Sequence, residues 1–389
     1  MKAIHFCQKL LLILTACLPL SAHSQKEQLE ISGQLKWVKP GDPLVLTMLS
    51  GSQGKFEQIF FDSTQAQADG RFHLKGHVPD GPRFFFLNFK GHSDRFIHLF
   101  VDNEKVRIEE GDYTENDLPK HGAVTPFVNI TGSKTTNVIK TLFPLSSLCL
   151  YSEMGMQSYI KKIEDSLGYD KSLMESVLTI RNKQIRTHLF ELDQLTKQKD
   201  AALFIPQYVV TFYRLLGKDP NIIGLYNDLN EQAKNTYAGK IMKHYTTCCI
   251  GQDCKDFAMI SEDHVTKRLS DIVKKGKMTL LYFWSTDQPR GDMILELSDF
   301  YRKYNSKGLN IVSVYTGTDS VSWKKTIDKD HVPWYQAADF KGMMDGISYN
   351  YGYTAEVSPF TILIDGNGKI ANWMAEGAVL QYYLDKTFN

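Results

Sequence analysis

The chain of 389 residues lacks an excess of charge of either sign, because 45 basic side chains balance 44 acidic ones for a net charge of +1. This balance gives no reason to expect nucleic acid or an anionic membrane surface as a partner. Internal repeats, low-complexity segments and a glycine-rich phosphate loop are also missing, and the 11 histidines do not have metalloprotease spacing. Cysteine is scarce, with six residues and none after Cys254. We therefore predict neither a cofactor nor a metal site.

The N-terminal residues have the composition of a targeting segment. Basic residues come first, an apolar stretch follows from Leu10 to Leu20, and small residues precede Gln25. This order predicts a signal peptide over residues 1–24 that is cleaved after Ser24. A lipid anchor at Cys17 is a less favoured alternative, because the apolar stretch continues beyond Cys17. Both alternatives predict export to a bacterial periplasm or cell envelope, and no later segment is predicted to cross the membrane.

The rest of the chain divides into three parts by pattern. Residues 27–132 contain short alternating strands separated by turn signals, which is typical of a β-sandwich. Residues 134–245 have helical periodicity, clearest in a predicted helix from Lys171 to Gln198. Residues 250–389 alternate between strand and helix patterns. The predicted strands of the first part are Leu29–Trp37, Pro43–Leu49, Phe56–Phe61, Arg71–Val78, Arg83–Phe89, Arg95–Val101, Lys105–Glu109 and Thr125–Ile130.

The third part has the clearest element pattern. Its predicted strands are Met278–Trp284, Leu309–Tyr315, Phe360–Asp365 and Lys369–Trp373, and its predicted helices cover about 291–305, 320–329, 340–348 and 378–387. Asp365-Gly-Asn-Gly368 between two apolar runs is a strong hairpin signal.

The first part of the chain contains a run of three phenylalanines, Phe84 to Phe86, which we interpret as a strand buried on both faces.

Several motifs of the third part occur in the order of a known family. They are Ile250–Phe257, Leu269–Ile272, Leu280–Trp284 and Val357–Ile370. As a set they resemble the thioredoxin-like branch that contains the alkyl hydroperoxide reductase/thiol-specific antioxidant proteins and the TlpA- and ResA-like reductases. Asp69–Gly76 resembles a β-sandwich domain of unknown function that precedes such domains in Bacteroidota envelope proteins. The expected fold class is a multidomain α+β protein with an N-terminal β-sandwich, a helical middle segment and a C-terminal thioredoxin-like domain.

The family's two active-site cysteines are missing. When Pro289 is matched to the proline of the family motif, the cysteine positions fall on Asp287 and Arg290; without a gap they fall on Gln288 and Gly291. Neither register contains a thiol, so neither dithiol exchange nor peroxiredoxin-type chemistry is available by the usual route. We interpret Asp287 as a helix N-cap and Arg290 as a solvated side chain of the first helical turn.

The resemblance also implies a groove for an extended peptide. Its residues here would be Trp284, Pro289, Ser358 and Pro359, with a cis bond between Ser358 and Pro359. Such a groove can hold a partner's backbone without any thiol chemistry.

The remaining cysteines outside the predicted signal peptide are Cys149, Cys248, Cys249 and Cys254. In an oxidising compartment they favour a disulfide, either Cys249–Cys254 or one that includes Cys149. Two less favoured alternatives are redox activity displaced to this cluster and a zinc site with His244.

Two functions follow as hypotheses. The first is a redox-inactive binding or scaffold module of the cell envelope, whose partner is an envelope protein or an extended peptide segment. The second is a TlpA-like thiol–disulfide oxidoreductase that uses Cys248, Cys249 or Cys254. The missing dithiol favours the first.

Overall fold

The computed structural model describes residues 28–50, 57–79, 81–91, 95–136, 158, 160–162, 168–212, 216, 218–261, 265–273, 277–286, 290–342, 346–352 and 360–389. The predicted signal peptide, its cleavage point after Ser24 and the alternative anchor at Cys17 lie outside these residues. No helix among the described residues is long and apolar enough to cross a membrane.

The described part of the N-terminal region is β-rich, as predicted. Its strands are β1 (Leu29–Gln34), β2 (Pro43–Ser50), β3 (Glu57–Gln65), β4 (Arg71–Gly76), β5 (Arg83–Phe89), β6 (Arg95–Val101), β7 (Lys105–Glu110), β8 (Gly122–Ala123) and β9 (Val128–Thr131). They form a four-stranded sheet in the order β4-β1-β7-β9 and a five-stranded sheet in the order β3-β2-β5-β6-β8. The two sheets share one apolar core, so apolar residues alternate inward along each strand.

The three phenylalanines of β5 alternate instead of being buried together. Phe85 is fully buried in the core between the sheets, whereas Phe84 and Phe86 are half-buried on the opposite face. The prediction of a strand buried on both faces was therefore wrong. Phe100 of β6, the register partner of Phe84, lies on that same face and packs edge-on against Phe204 of the helical middle segment, with ring centroids 4.7 Å apart.

The middle segment is helical, as predicted. It contains α1 (Lys171–Thr196), α2 (Lys199–Thr211), α3 (Ile222–Asp228), α4 (Glu231–Asn235) and α5 (Tyr237–Tyr245). The helix α1 begins where the Asp170 side chain accepts a hydrogen bond from the Leu173 amide, which satisfies one free donor of the first turn. Pro206 lies inside α2, which continues beyond it to Thr211.

The C-terminal part contains β10 (Ala258–Ser261), β11 (Thr266–Arg268), α6 (Leu269–Val273), β12 (Met278–Trp284), α7 (Gly291–Tyr304), β13 (Leu309–Tyr315), α8 (Ser320–Asp330), β14 (Tyr335–Ala338), α9 (Ile347–Asn350), β15 (Phe360–Asp365), β16 (Ile370–Trp373) and α10 (Gly377–Phe388). Its seven-stranded sheet has the order β11-β10-β14-β13-β12-β15-β16. The neighbours β12, β13 and β14 are parallel, and β15 and β16 add antiparallel strands. All seven residues of β12 are buried, as expected for a central strand covered on both faces.

The two faces of this sheet have different partners. Helices α7, α8 and α10 cover the face that carries Leu280, Tyr282 and Trp284. The other face, with Leu281 and Phe283, shares a continuous apolar core with the middle helices. A hydrogen bond of 2.9 Å from the Trp373 indole Nε1 to the Cys248 carbonyl oxygen belongs to this contact. The middle helices therefore complete the core of the C-terminal sheet.

Three short strands, β10, β11 and β14, were not predicted from the sequence, and the helix predicted over 340–348 is reduced to Ile347–Asn350 among the described residues. Phe340 instead has a left-handed backbone with a φ of +52°. Because β12, β13 and β14 are parallel, their carboxyl ends meet at one edge of the sheet, where α7 begins after β12.

Candidate functional site

The candidate site lies where β12 ends and α7 begins. The Trp284 carbonyl oxygen accepts hydrogen bonds from both the amide and the hydroxyl of Thr316, at 2.9 and 3.1 Å, which ties the end of β12 to the end of β13. Ser285 and Thr286 follow in the described chain, and α7 begins at Gly291. The predicted site residues Asp287, Gln288 and Pro289 lie outside the described residues.

Arg290, one of the two positions that the resemblance assigns to cysteine, is not a solvated side chain. Only 10% of its side chain is exposed, and its Nη2 donates to the Asp330 carboxylate at the end of α8. Its guanidinium carbon lies 3.5 Å from the centroid of the Trp284 ring, in cation–π geometry. The prediction of a solvated Arg290 was wrong, because the long side chain turns inward to an ion pair that is formed by a distant helix.

The N-cap prediction was also wrong. The N-cap residue of α7 is Arg290, and its own side chain makes no capping hydrogen bond. Asp287 comes three residues earlier, so it does not take the N-cap position.

The ion pair lies in a buried polar environment. Asp330 is also largely buried, with 17% of its side chain exposed. Among the described residues, Nε and Nη1 of Arg290, Oη of Tyr282 and Nε1 of Trp284 have no hydrogen-bond partner. Burial raises the pKa of the Tyr282 hydroxyl to about 12, an effect that the nearby Arg290 cation partly opposes, so this tyrosine stays neutral. The charge balance of the cluster therefore depends on Arg290 and Asp330 staying together.

Trp284, one of the predicted groove residues, is a buried side chain. Its side chain is fully buried between Arg290 and Tyr315, whose ring centroid is 4.9 Å away. Among the described residues, Arg290 covers one face of the Trp284 ring, and the groove itself stays a prediction. The other predicted groove residues, Pro289, Ser358 and Pro359, lie outside the described residues, as does the bond predicted to be cis.

Gly291, the alternative cysteine position, has a different environment from Arg290. It is the first residue of α7, and a Cβ atom added to it would meet nothing within 4 Å. A side chain at this position would leave the Arg290–Asp330 pair intact.

The described cysteines do not form the predicted disulfide. Cys248, Cys249 and Cys254 are all free thiols. Cys249 Sγ donates to the Thr246 carbonyl oxygen within the turn that ends α5, whereas Cys254 is held beside the Gly368 hairpin through its backbone amide. The pairing of Cys249 with Cys254 was wrong because each thiol follows its own backbone turn. Cys149 lies outside the described residues.

The thiols are poor nucleophiles in this environment. Burial raises the pKa of Cys248 to about 12 and that of Cys249 to about 11. Burial and the nearby aspartates raise the pKa of Cys254 as well. A catalytic thiol of this fold needs the opposite shift, because the thiolate is the species that attacks.

The alternative of a zinc site with His244 depends on the contacts of the His244 ring. The His244 ring stacks on Tyr349 with centroids 4.4 Å apart, and its Nε2 donates to the Tyr349 carbonyl oxygen. No group of three or more histidine, cysteine, aspartate or glutamate side chains converges as a metal site among the residues that the structure describes.

We expect these thiols to alkylate slowly in the folded protein. At pH 8 a pKa of about 12 leaves about one Cys248 thiol in ten thousand ionised. Iodoacetamide labelling followed by mass spectrometry should therefore modify the half-exposed Cys254 first, and Cys248 and Cys249 only after unfolding in urea. Labelling of Cys248 as fast as that of a free thiol would contradict its burial.

The comparison with known families concerns the C-terminal part of the chain. Residues 250–373 match the model of the AhpC/TSA family. This match and the α/β topology give the C-terminal part of the chain a thioredoxin-like fold, as predicted. No curated protein matches the chain.

Solved structures similar to this chain cover about a third of it. A thiol-disulfide oxidoreductase from Bacteroides fragilis is 23% identical, over 35% of this chain and 98% of its own, with a TM-score of 0.33. The thioredoxin domain of a thiol-disulfide oxidoreductase from Bacteroides vulgatus is 26% identical, over 36% and 99%, with a TM-score of 0.31. A thiol:disulfide interchange protein from a Bacteroides species is 26% identical, over 37% and 92%, with a TM-score of 0.31.

Two features of the site could not be found by reading the sequence. Asp330 is 40 residues from Arg290, and nothing distinguishes it from the other charged residues of α8. Tyr282 looked like one more apolar residue of a buried strand. The signal in the sequence was that Arg290 departs from the family pattern, and we interpreted it wrongly as a solvated side chain.

Proposed function

We propose that the C-terminal domain is a redox-inactive thioredoxin-like module that binds a partner protein, through an extended segment, in the bacterial cell envelope. The observation that carries this proposal is Arg290. Where the resemblance places a resolving cysteine, the chain has a buried cation that is paired with Asp330 and stacked on Trp284. The Arg290 side chain holds the packing of the site together and provides no group that can attack or resolve a disulfide.

The position of the thiols supports the same proposal. Exchange needs a thiolate near a helix N-terminus, where the helix dipole lowers its pKa. Cys248 and Cys249 instead follow the end of α5, in a buried turn where their pKa values are raised. Cys248 belongs to the apolar core that the middle helices share with the sheet, and Cys249 is fully buried.

The cellular location is part of the proposal. The basic and apolar N-terminal residues support export with a signal peptide over residues 1–24, or with a lipid anchor at Cys17 as the alternative. In this proposal the β-sandwich, residues 27–132, and the helical region, residues 134–245, hold the binding domain, residues 250–389, in the envelope.

The test is an insulin-reduction assay on the mature chain with dithiothreitol as electron donor. We expect no turnover above the background of the donor, beside a dithiol thioredoxin as positive control. Activity that disappears in the variant with Cys248→Ser, Cys249→Ser and Cys254→Ser would overturn the proposal in favour of the displaced-dithiol oxidoreductase.

A second measurement separates binding from exchange. A partner captured from envelope extract should stay bound when reductant is added, and the triple serine variant should capture it equally well, because the contact is non-covalent. A partner that is released by reductant and lost in the serine variant would indicate a mixed disulfide instead.

A further inference from the structure

A groove on the surface of the C-terminal domain lies beside α8 at the carboxyl edge of the parallel strands. It has a volume of about 640 Å³, and its apolar lining is formed by Val321, Trp323 and Phe340. Val321 is 75% exposed. α8 follows β13, and Phe340 follows β14, so the groove lies at the same edge as the turn after Trp284.

Aromatic contacts connect the groove to the candidate site. Trp284 packs on Tyr315, Tyr315 lies 6.3 Å from Phe340, and Phe340 meets Trp323 edge-on at 5.4 Å, all between ring centroids. The Arg290 cation covers Trp284 at one end of this row. A ligand in the groove therefore contacts the far end of the same packed row.

Phe340 has a strained backbone. A φ of +52° is unfavourable for a non-glycine residue, and such strain is concentrated at binding and active sites. This conformation places the ring between Tyr315 and Trp323 at the groove. The strain supports a role in binding, because a glycine would adopt the same turn without cost.

Charged side chains also line the groove. Lys324 pairs with Asp328 at 2.8 Å, whereas Lys325 forms no ion pair with the described part of the chain. The free amides at the start of α8 are already satisfied by Asp319, so lysine side chains carry the positive potential. Two lysines and one aspartate line the groove, and with Lys324 paired to Asp328, Lys325 is, among the described residues, the unpaired charge beside the apolar floor.

We infer that this groove binds an extended segment of the partner protein in which acidic residues flank a large apolar side chain. The inference rests on the proposed binding function and names the chemistry of its partner. The apolar side chain packs on Val321, Trp323 and Phe340, while an adjacent carboxylate lies near Lys325. Apolar burial supplies affinity, and the lysine sets the preference for acidic neighbours.

The probe is a fluorescein-labelled peptide of sequence Ser-Glu-Leu-Glu-Phe-Ser, compared with the analogue in which both glutamates are lysines. Fluorescence anisotropy should show binding of the acidic peptide to the mature chain at least about tenfold tighter than that of the basic one. The variant Lys325→Glu should reverse this preference. Equal affinity for both peptides, or no binding up to about 1 mM, would overturn the inference.

A matched pair of variants locates the binding. Val321→Asp should weaken binding of the acidic peptide by about tenfold or more, whereas Leu295→Asp should change it less than about twofold. Both positions are exposed apolar helix residues, 75% and 69% exposed, so both variants should fold. If the two variants bind equally, the peptide docks elsewhere: the groove assignment is then wrong, while the proposed binding function stands. Insulin reduction by the wild type would contradict the proposed function independently of this result.

Discussion

Replacing Arg290 by methionine should lower the free energy of unfolding of the C-terminal domain by about 3–5 kcal/mol. Methionine keeps most of the apolar stem, so the loss comes from the charge: the Asp330 carboxylate, only 17% exposed, is left without its partner. The cation–π contact with Trp284 is lost as well. Urea unfolding followed by tryptophan fluorescence measures the effect, since four of the five tryptophans lie after residue 250.

The partner variant separates the ion pair from simple packing. Combining Arg290→Met with Asp330→Asn should restore about 1–3 kcal/mol relative to the sum of the two single changes, because removing both charges leaves neither buried and unpaired. Additive effects of the two substitutions would show that the pair contributes nothing and that Arg290 acts through packing alone.

The same helix provides the control. Arg302 pairs with Asp299 three residues earlier on the surface of α7, where their side chains are 77% and 73% exposed. Solvent screens such a pair, so Arg302→Met should cost less than about 1 kcal/mol. Similar losses at Arg290 and Arg302 would contradict the buried role that we assign to Arg290.

The regular elements of the C-terminal domain could be predicted because their signals are local. The strands Met278–Trp284 and Leu309–Tyr315 have the same bounds in prediction and structure, since long apolar runs mark buried parallel strands. The strand β14 was missed because four residues with a buried Gln336 give no periodic pattern. Its neighbours in the sheet, and not its own sequence, make it a strand.

The site was less predictable for a related reason. The loss of the thiols is visible in the sequence, but tertiary contacts decide whether the arginine that stands at a cysteine position is buried or solvated. Arginine in a first helical turn is usually solvated, and this one is buried because Trp284 and Asp330 converge on it from a strand and another helix. The same holds for the cysteines, since the compartment permits a disulfide whereas the backbone turns direct the Cys249 and Cys254 side chains to separate contacts.

The last prediction concerns restoring the dithiol, for which the two registers have very different structural costs. The gapped register needs Asp287→Cys with Arg290→Cys, and the second change removes the buried cation from Asp330. This variant should be destabilised by about 3–5 kcal/mol, far more than the loss of a helix cap alone. Adding Asp330→Asn should recover part of that stability, because the orphaned carboxylate is gone.

The ungapped register needs Gln288→Cys with Gly291→Cys and keeps Arg290 in place. A Cβ at Gly291 meets no atom within 4 Å, so the free energy of unfolding of this variant should lie within about 1 kcal/mol of the wild-type value.

Stability and insulin reduction, measured on both sets of variants, then give independent answers. We expect the register to be the gapped one, so measurable reduction should appear in the Asp287→Cys, Arg290→Cys, Asp330→Asn variant and stay at background in the Gln288→Cys, Gly291→Cys variant. The reverse pattern would show that the ungapped register is correct and that Arg290 does not occupy a former cysteine position. If both variants fold with titratable thiols and neither is active, the site has lost more than its cysteines, because a thiolate at the start of α7 would then lack access to a substrate disulfide.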